Sequence, residues 1–316
     1  MAWLRKNKEA LEAISRVRAL ELKAREVAEG VLIGIHRSRH RGSSIEFSEH
    51  KPYSPGEELR LLDWKLFAKT DRYFIKQFED ETRIQSYLVL DASGSMNYPR
   101  IGIEGWSRNG GKVLLNKFEY GRVLVGALGY LLLGQGDSVG VVLINRGRFN
   151  WLPARSGERH FLSIIEFLSS FEPEGETDLS KIFLELSSRV KKKSLFILVS
   201  DFFDEEKELL KSLRLASHLG NELVLFQILA KEEVEFPFTR LSWFEGLESE
   251  GKVLIEPREL KNRYLQVFNG FCKNLSAVSN ELGADYQVFL TEDNLAQMLS
   301  SYLLKRAERR RRLVRV

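Results

Sequence analysis

Cysteine is almost absent: Cys272 is the one thiol in 316 residues. That excludes an internal disulfide and a thiolate zinc cluster, since both need several cysteines. Cys272 sits in the stretch Asn269-Gly270-Phe271-Cys272, on one face of an expected helix, and reads as a buried structural thiol rather than a nucleophile. No apolar run approaches the ~20 residues a membrane helix requires. The amino-terminal 30 residues are amphipathic and charged, without the apolar core of a secretory signal, so the chain is expected to be cytoplasmic. Two catalytic signatures are missing as well. There is no G-x-x-x-x-G-K-[ST] phosphate loop, so the chain does not read as a P-loop ATPase. There is no ordered Ser-His-Asp set around a nucleophile elbow.

Histidine is scarce: His36, His40, His50, His160 and His218. His36 and His40 stand four apart, a spacing that can hold a metal on a helix, but their setting is arginine-rich and no glutamate lies between them. They read as surface residues. Net charge is small, 48 Lys+Arg against 44 Asp+Glu. The excess gathers in Arg309–Arg312. A solvated helix end, where cations complement the helix dipole, is the simpler account. An electrostatic contact with nucleic acid, an acidic partner or a membrane surface is the alternative. No aromatic residue interrupts the run and no nucleic-acid-binding module is recognisable, so nucleic acid is not expected.

What is present is the make-up of an ordinary soluble globular protein, 43% hydrophobic and 29% charged,. The length suits one large α/β domain with additions, or two modest domains. Residues 5–29 carry Leu11, Ile14, Val17, Leu20, Leu22 and Val27 at helical spacing. After Gly30, residues 31–85 change character, with Gly34, Gly42, Pro52, Pro55 and Gly56 among short β-like runs. Ser44–Phe47 and Arg72–Phe78 alternate like half-buried strands. Tyr53–Gly56 is a turn signal, and a short helix is expected at Leu62–Lys65. Asp63 and Trp64 there read as structural, and Arg60 and Lys65 as surface ion-pair residues.

A repeating pattern follows. Apolar strands are expected at Tyr87–Leu90, Ser138–Ile144, Leu195–Ser200, Glu222–Leu229 and Ala284–Leu290, with Arg148–Leu152 as a hairpin partner through Asn145-Arg146-Gly147. Helices are expected at Phe118–Leu133, Arg159–Phe171, Asp178–Val190, Glu205–Leu219, Asn262–Leu282 and Asn294–Arg309. Fully apolar strands alternating with amphipathic helices imply a mostly parallel sheet covered on both faces. The glycine-rich stretch 98–117 reads as an insertion after the first core strand.

In such sheets ligands gather beyond the carboxyl ends of the strands. Three loops qualify: Asp91-Ala92-Ser93-Gly94-Ser95, Gly175-Glu176-Thr177-Asp178 and Asp201-Phe202-Phe203-Asp204. Asp91, Ser93, Ser95, Thr177 and Asp201 offer only hard oxygen atoms, which suit Mg2+, or Mn2+ or Ca2+, rather than zinc or copper. A serine-rich turn capping the next helix is the plainer alternative.

Asp-x-Ser-x-Ser after a buried strand, a later threonine in a glycine-containing loop, and an aspartate after another buried strand resemble the von Willebrand factor type A fold. The resemblance covers roughly residues 85–310. It implies an α/β, Rossmann-like, mostly parallel sheet with helices on both faces, joined here by an N-terminal helix and a small β-rich extension. It implies that Ser93 and Ser95 bind a metal directly, Thr177 directly or through water, and Asp91 and Asp201 directly or from behind. Upstream, Ile45-Glu46-Phe47, Lys51–Glu58 and Leu61–Lys65 resemble the bacterial family named domain of unknown function 58. Members are typically encoded beside MoxR-type AAA+ ATPases, and the resemblance implies joint work in chaperone-like maturation or assembly.

The expected organisation is an extension over 1–85, a von Willebrand A-like domain over 86–310 and a basic tail over 311–316. The expected function is a non-enzymatic interaction module whose metal captures an aspartate or glutamate of a protein partner. A magnesium- or manganese-dependent phosphoester hydrolase is the alternative, weakened by the lack of an evident general base or second metal cluster.

Overall fold

A computed structural model describes residues 2–39, 51–52, 74–75, 85–99, 115–190, 193–247 and 251–314. The chain divides into two compact units, residues 1–35 with 84–316, and residues 36–83. In the smaller unit the described backbone is one antiparallel pair, β1 (Lys51–Pro52) with β2 (Phe74–Ile75). β2 falls within the strand expected over Arg72–Phe78. The expected strand Ser44–Phe47, the turn Tyr53–Gly56, the short helix at Leu62–Lys65 and His50 lie outside the described residues.

The larger unit is built on β3 (Gln85–Asp91), β4 (Ser138–Asn145), β5 (Arg148–Arg155), β6 (Leu195–Ser200), β7 (Glu222–Leu229) and β10 (Asp285–Leu290), in the spatial order β10-β7-β6-β3-β4-β5. All neighbours are parallel except the β4–β5 hairpin. Its two-residue turn, Arg146-Gly147, has φ of 48° and 66°, the left-handed pair that matches strand twist. A separate two-stranded ribbon, β8 (Ser242–Glu245) with β9 (Lys252–Ile255), lies in the segment between β7 and the next long helix.

The central strands bury both faces, which explains their unbroken apolar runs. Along β3, Leu88 and Leu90 enter one core while Tyr87 and Val89 enter the other. The first core is closed by α1 (Ala2–Arg39), α2 (Lys117–Gly134), α3 (Glu158–Ser169) and α8 (Leu295–Val314). The second is closed by α4 (Leu179–Arg189), α5 (Glu206–His218) and α7 (Pro257–Glu281). Each fully buried side chain such as Leu90 or Phe226 adds roughly 1.5–3 kcal/mol relative to exposure, so this two-sided burial fixes where the strand ends lie. The α/β architecture and the N-terminal helix match the sequence expectation.

Two local differences have clear causes. The helix expected over 5–29 runs on to Arg39, through Gly30 and Gly34. A Cβ on Gly30 would meet the Ala296 Cβ at 3.1 Å, and one on Gly34 would meet the Ser300 Oγ at 2.8 Å. The glycines therefore permit close approach to α8 rather than end the helix. The buried stripe of α1 is Leu20, Ala24, Ala28 and Val31, whereas Ile14 is 51% and Leu22 68% exposed. Leu22 lies about 200° around the helix from Leu20. The second difference is residues 230–256, which carried no sequence expectation. They hold the single-turn helix α6 (Lys231–Glu235) and the β8–β9 ribbon. Likewise α7 begins at Pro257, with proline in the first turn, rather than at Asn262,.

Candidate functional site

The strand order reverses between β3 and β6, the point where open α/β sheets form a crevice at their carboxyl edge,. β3 ends on Asp91 and its parallel neighbour β6 ends on Ser200. The loops leaving them therefore start side by side.

Asp91 is buried, and both its oxygens are hydrogen-bonded by neutral donors. Oδ1 accepts the Ser93 N–H at 2.9 Å and Oδ2 accepts the Ser200 hydroxyl at 2.6 Å. Burial first, and repulsion from Asp201 second, push the Asp91 carboxyl up to about 6 against the pull of those hydrogen bonds,. Ser93 is buried, and its Oγ lies 3.1 Å from the Ser95 Oγ. A 3-10 turn over Gly94–Asn97 then carries the chain out to Tyr98.

The loop with Thr177 is stapled onto this one. The Gly94 N–H donates to the Gly175 carbonyl and the Glu174 N–H to the Ala92 carbonyl, each at 2.9 Å. The Asp178 side chain accepts the Lys181 N–H at 2.7 Å and caps α4,. Between staple and cap, the Thr177 Oγ1 is buried and finds no hydrogen-bond partner among the described residues. Such a hydroxyl costs roughly 1–3 kcal/mol when left alone, and native structures leave few of them.

Asp201, 1% exposed, is satisfied differently. Its Oδ2 accepts the Lys117 ammonium at 2.7 Å and its Oδ1 the Phe203 N–H at 3.1 Å. Its carbonyl accepts the Gln227 amide at 2.9 Å. Lys117, also 1% exposed, donates to Glu233 Oε1 at 2.6 Å as well, and lies 5.2 Å from the Phe203 ring centroid and 5.9 Å from that of Tyr98. Burial alone would lower the Lys117 ammonium, but Asp201 and Glu233 together hold it above its ordinary value. Burial pushes the Glu233 carboxyl up against the attraction of Lys117. One ammonium clasped this closely by two carboxylates is a charged cluster.

The backbone after Asp201 is strained. Phe202 has φ of 62°, a conformation that bulky residues rarely adopt,. Its fully buried ring and the Phe202 N–H, which donates to Ser200 Oγ at 2.8 Å, hold it there,. Asp204 closes the loop onto α4, where its Oδ2 accepts the Ser180 N–H at 2.9 Å and the Ser180 hydroxyl at 2.6 Å.

All five residues expected from the sequence thus lie on three loops at one edge of the sheet. Lys117, Ser200, Gln227 and Glu233 join them without having been singled out. Three of the four left a sequence signal. Ser200 and Gln227 are polar residues within apolar strands, and buried polar side chains need partners. Lys117 opens a helix, the end where the dipole disfavours a cation,. Among the described residues no group of three or more His, Cys, Asp and Glu is arranged to hold a metal. Any ion here would depend on the hydroxyls.

The other candidates fall elsewhere. The Cys272 thiol donates to Gln227 Oε1 at 3.7 Å and is pushed up by burial, as suits a structural thiol,. His160 is buried with Nε2 2.8 Å from the Val139 carbonyl oxygen. The side chains of His36 and His40 lie outside the described residues. In α8, Arg306 pairs with Asp285 and Glu222, and Arg309 with Asp285 at 3.1 Å. The side chains of Arg310–Arg312 lie outside the described residues. Among the described residues no helix is long and apolar enough to cross a membrane.

A mostly parallel sheet of this order, with an Asp-x-Ser-x-Ser loop at its switch point, is the α/β arrangement that the sequence resemblance to the von Willebrand factor type A fold implies. The chain belongs to the family described as "Protein of unknown function DUF58", whose model matches residues 49–268. Uncharacterised proteins of Mycobacterium bovis (Mb1516) and Mycobacterium tuberculosis (Rv1480) are each 24% identical over 224 residues, 70% of this chain. The match spans 66% of those relatives' length. Among solved structures, the conserved hypothetical protein BatB of Bacteroides thetaiotaomicron is 16% identical, with a TM-score of 0.45 over 71% of this chain and 99% of its own. The SpRpn10 VWA domain is 11% identical, with a TM-score of 0.38 over 68% of this chain and 92% of its own.

Proposed function

We propose that this protein is a non-enzymatic interaction module that holds a divalent cation, Mg2+ foremost and Mn2+ or Ca2+ as substitutes, among Asp91, Ser93, Ser95, Thr177 and Asp201, and captures an acidic side chain of a protein partner. The supporting observation is the buried Thr177 hydroxyl without a partner, on a loop stapled to the Ser93–Ser95 pair. The charge balance agrees. Lys117 pairs with Asp201 and Glu233, Asp91 is near enough to Asp201 to be repelled by it, and a divalent cation would offset the negative charge that the one ammonium leaves over.

In this reading Ser93, Ser95 and Thr177 supply hydroxyl oxygens to the ion. Asp91 supplies charge from the base of the site. Asp201, already paired with the buried Lys117 ammonium, orients and balances rather than binds directly. The bound cation would supply a Lewis-acidic position that a partner's carboxylate completes. The family resemblance makes a MoxR-type AAA+ ATPase, or a protein it acts on, the first partner to try.

The test is calorimetric titration of Mg2+ into chelator-treated protein, with and without Ser93→Ala/Ser95→Ala. Saturable binding lost in the double variant is expected, together with magnesium-dependent capture of the ATPase that the same variant loses. Metal and partner binding retained by the variant overturns the reading. Turnover of p-nitrophenyl phosphate with Mg2+ or Mn2+, abolished by Asp91→Ala, would move it to the hydrolase class.

A further inference from the structure

Residues 230–256 leave the sheet from the carboxyl end of β7, the same edge that carries Asp91 and Asp201, and return through α7. Between them and the loop following Ser95 lies a pocket of about 590 Å3, a size that takes one or two peptide side chains with their backbone. Its walls are aromatic. Tyr98, Phe236, Phe238, Phe244 and Tyr264 line it, and Trp243 stands at its side. The rings brace one another: Phe236 lies 4.7 Å from Tyr264 and 5.2 Å from Phe238, and Phe238 lies 5.2 Å from Phe244. The Tyr264 hydroxyl donates to the Glu233 carbonyl at 2.8 Å and ties α7 to α6.

The charge lining this pocket has one sign. Glu232, Glu233 and Glu245 line it, and no Lys, Arg or His does so among the described residues. Glu233 is balanced from behind by Lys117, and Glu245 pairs with Lys252 at 3.3 Å on the exposed ribbon. Glu232 has no cationic partner among the described residues. The Tyr98 hydroxyl, pushed up chiefly by burial, is raised further by Glu232 and Glu233. Trp243 is 67% exposed, opposite the 47% exposed Leu254 across the ribbon. An aromatic–aliphatic pair on a braced ribbon is the kind of surface a partner covers.

We propose that this pocket receives an arginine side chain of a protein partner, the guanidinium stacking on the aromatic walls and Glu232 balancing its charge. Faces of aromatic rings attract cations, and the planar guanidinium is weakly hydrated and stacks where an ammonium cannot. The negative lining selects the arginine over an aliphatic side chain of similar length. This contact adjoins the candidate metal site, to which Glu233 is linked through Lys117 and Asp201, and would hold a basic residue where that site would hold an acidic one.

The test uses the full chain in the presence of chelator, so that its outcome is independent of any metal. N-acetyl-leucyl-arginine amide and its neutral isostere N-acetyl-leucyl-citrulline amide are titrated by calorimetry. The arginine peptide is expected to bind saturably and at least tenfold more tightly than the citrulline peptide. In Glu232→Gln, checked for an unchanged thermal transition, that preference is expected to fall below threefold. Equal affinity for the two peptides, an undiminished preference in Glu232→Gln, or no saturable binding of the arginine peptide each overturns the proposal. The result expected in Ser93→Ala/Ser95→Ala is an unchanged preference, whereas a loss there would tie the effect to the other site and overturn it too.

Discussion

Asp91 and Asp201 follow adjacent parallel strands at one edge of the sheet, and both are nearly fully buried, yet they are satisfied in opposite ways. Asp91 is held by a hydroxyl and a backbone N–H, donors without charge. Asp201 is held by a buried ammonium shared with Glu233. Burial therefore penalises the charge of Asp91, while that of Asp201 is compensated within the fold. One half of the edge is a closed ionic cluster backed by aromatic rings. The other holds a carboxylate whose hydrogen-bond donors carry no charge and a buried hydroxyl with no hydrogen-bond partner among the described residues. The difference separates a carboxylate neutralised within the fold from one that is not.

Removing the ammonium attacks the closed half, and it carries the largest expected effect. Lys117→Met should cost about 3–5 kcal/mol, because truncating one partner of a buried ion pair strands the others. Urea denaturation measures it, and a loss below about 1 kcal/mol would show that the cluster is solvated. Divalent cation should restore more stability to this variant than it adds to the wild type. Ser200→Ala attacks the other half. It removes a donor from Asp91 Oδ2 and an acceptor from the Phe202 N–H at once. A loss of about 1–3 kcal/mol is expected, and a neutral result in the same denaturation would mean that water replaces the hydroxyl.

The uncompensated charge also has a pH signature. A carboxyl raised to about 6 in the fold favours its protonated form there. Its contribution to stability is complete below the ordinary aspartate value of about 4 and is lost as pH rises through about 6. Metal-free protein should therefore gain about 1 kcal/mol from this group between pH 7 and pH 5. With saturating magnesium the trend should reverse, since protons compete with the ion for Asp91. Stability that is flat or falling from pH 7 to 5 in chelator would contradict the asymmetry between the two aspartates.

Much of this edge was legible in the sequence because its logic is local. Unbroken apolar runs such as Leu195–Val199 mark strands buried on both faces, and the polar residues just after them mark the crevice. What was not legible depends on distant approach. Gly30 and Gly34 mark only a change of composition in the sequence; Ala296 and Ser300 are seen against them in the fold alone. Residues 230–256 lack a long periodic run, and α6 and its ribbon are ordered by rings that meet only in the fold, such as Phe236 on Tyr264. Lys117 looked like the end of a polar insertion. Only the meeting of β6, α2 and α6 shows that its charge is spent inside the protein.

Asp204 gives the smallest effect and the finest discrimination. It lies in the same loop as Asp201, and composition alone would let either serve a metal. Both oxygens of Asp204 are engaged: Oδ2 by the Ser180 N–H and hydroxyl at the start of α4, Oδ1 by the Glu205 N–H at 2.7 Å. Its charge acts on a helix terminus, a contribution of typically 0.3–1 kcal/mol. Asp204→Asn keeps an acceptor for Ser180 and loses that charge together with the acceptor for the Glu205 N–H, an exposed contact that water can replace,. It should therefore lower stability by less than about 1 kcal/mol and leave magnesium affinity within twofold of wild type. Asp91→Asn should weaken magnesium binding more than tenfold. If the two substitutions weakened magnesium binding alike, the ion would be responding to the total charge of the edge, and the distinction between a compensated and an available carboxylate would fail.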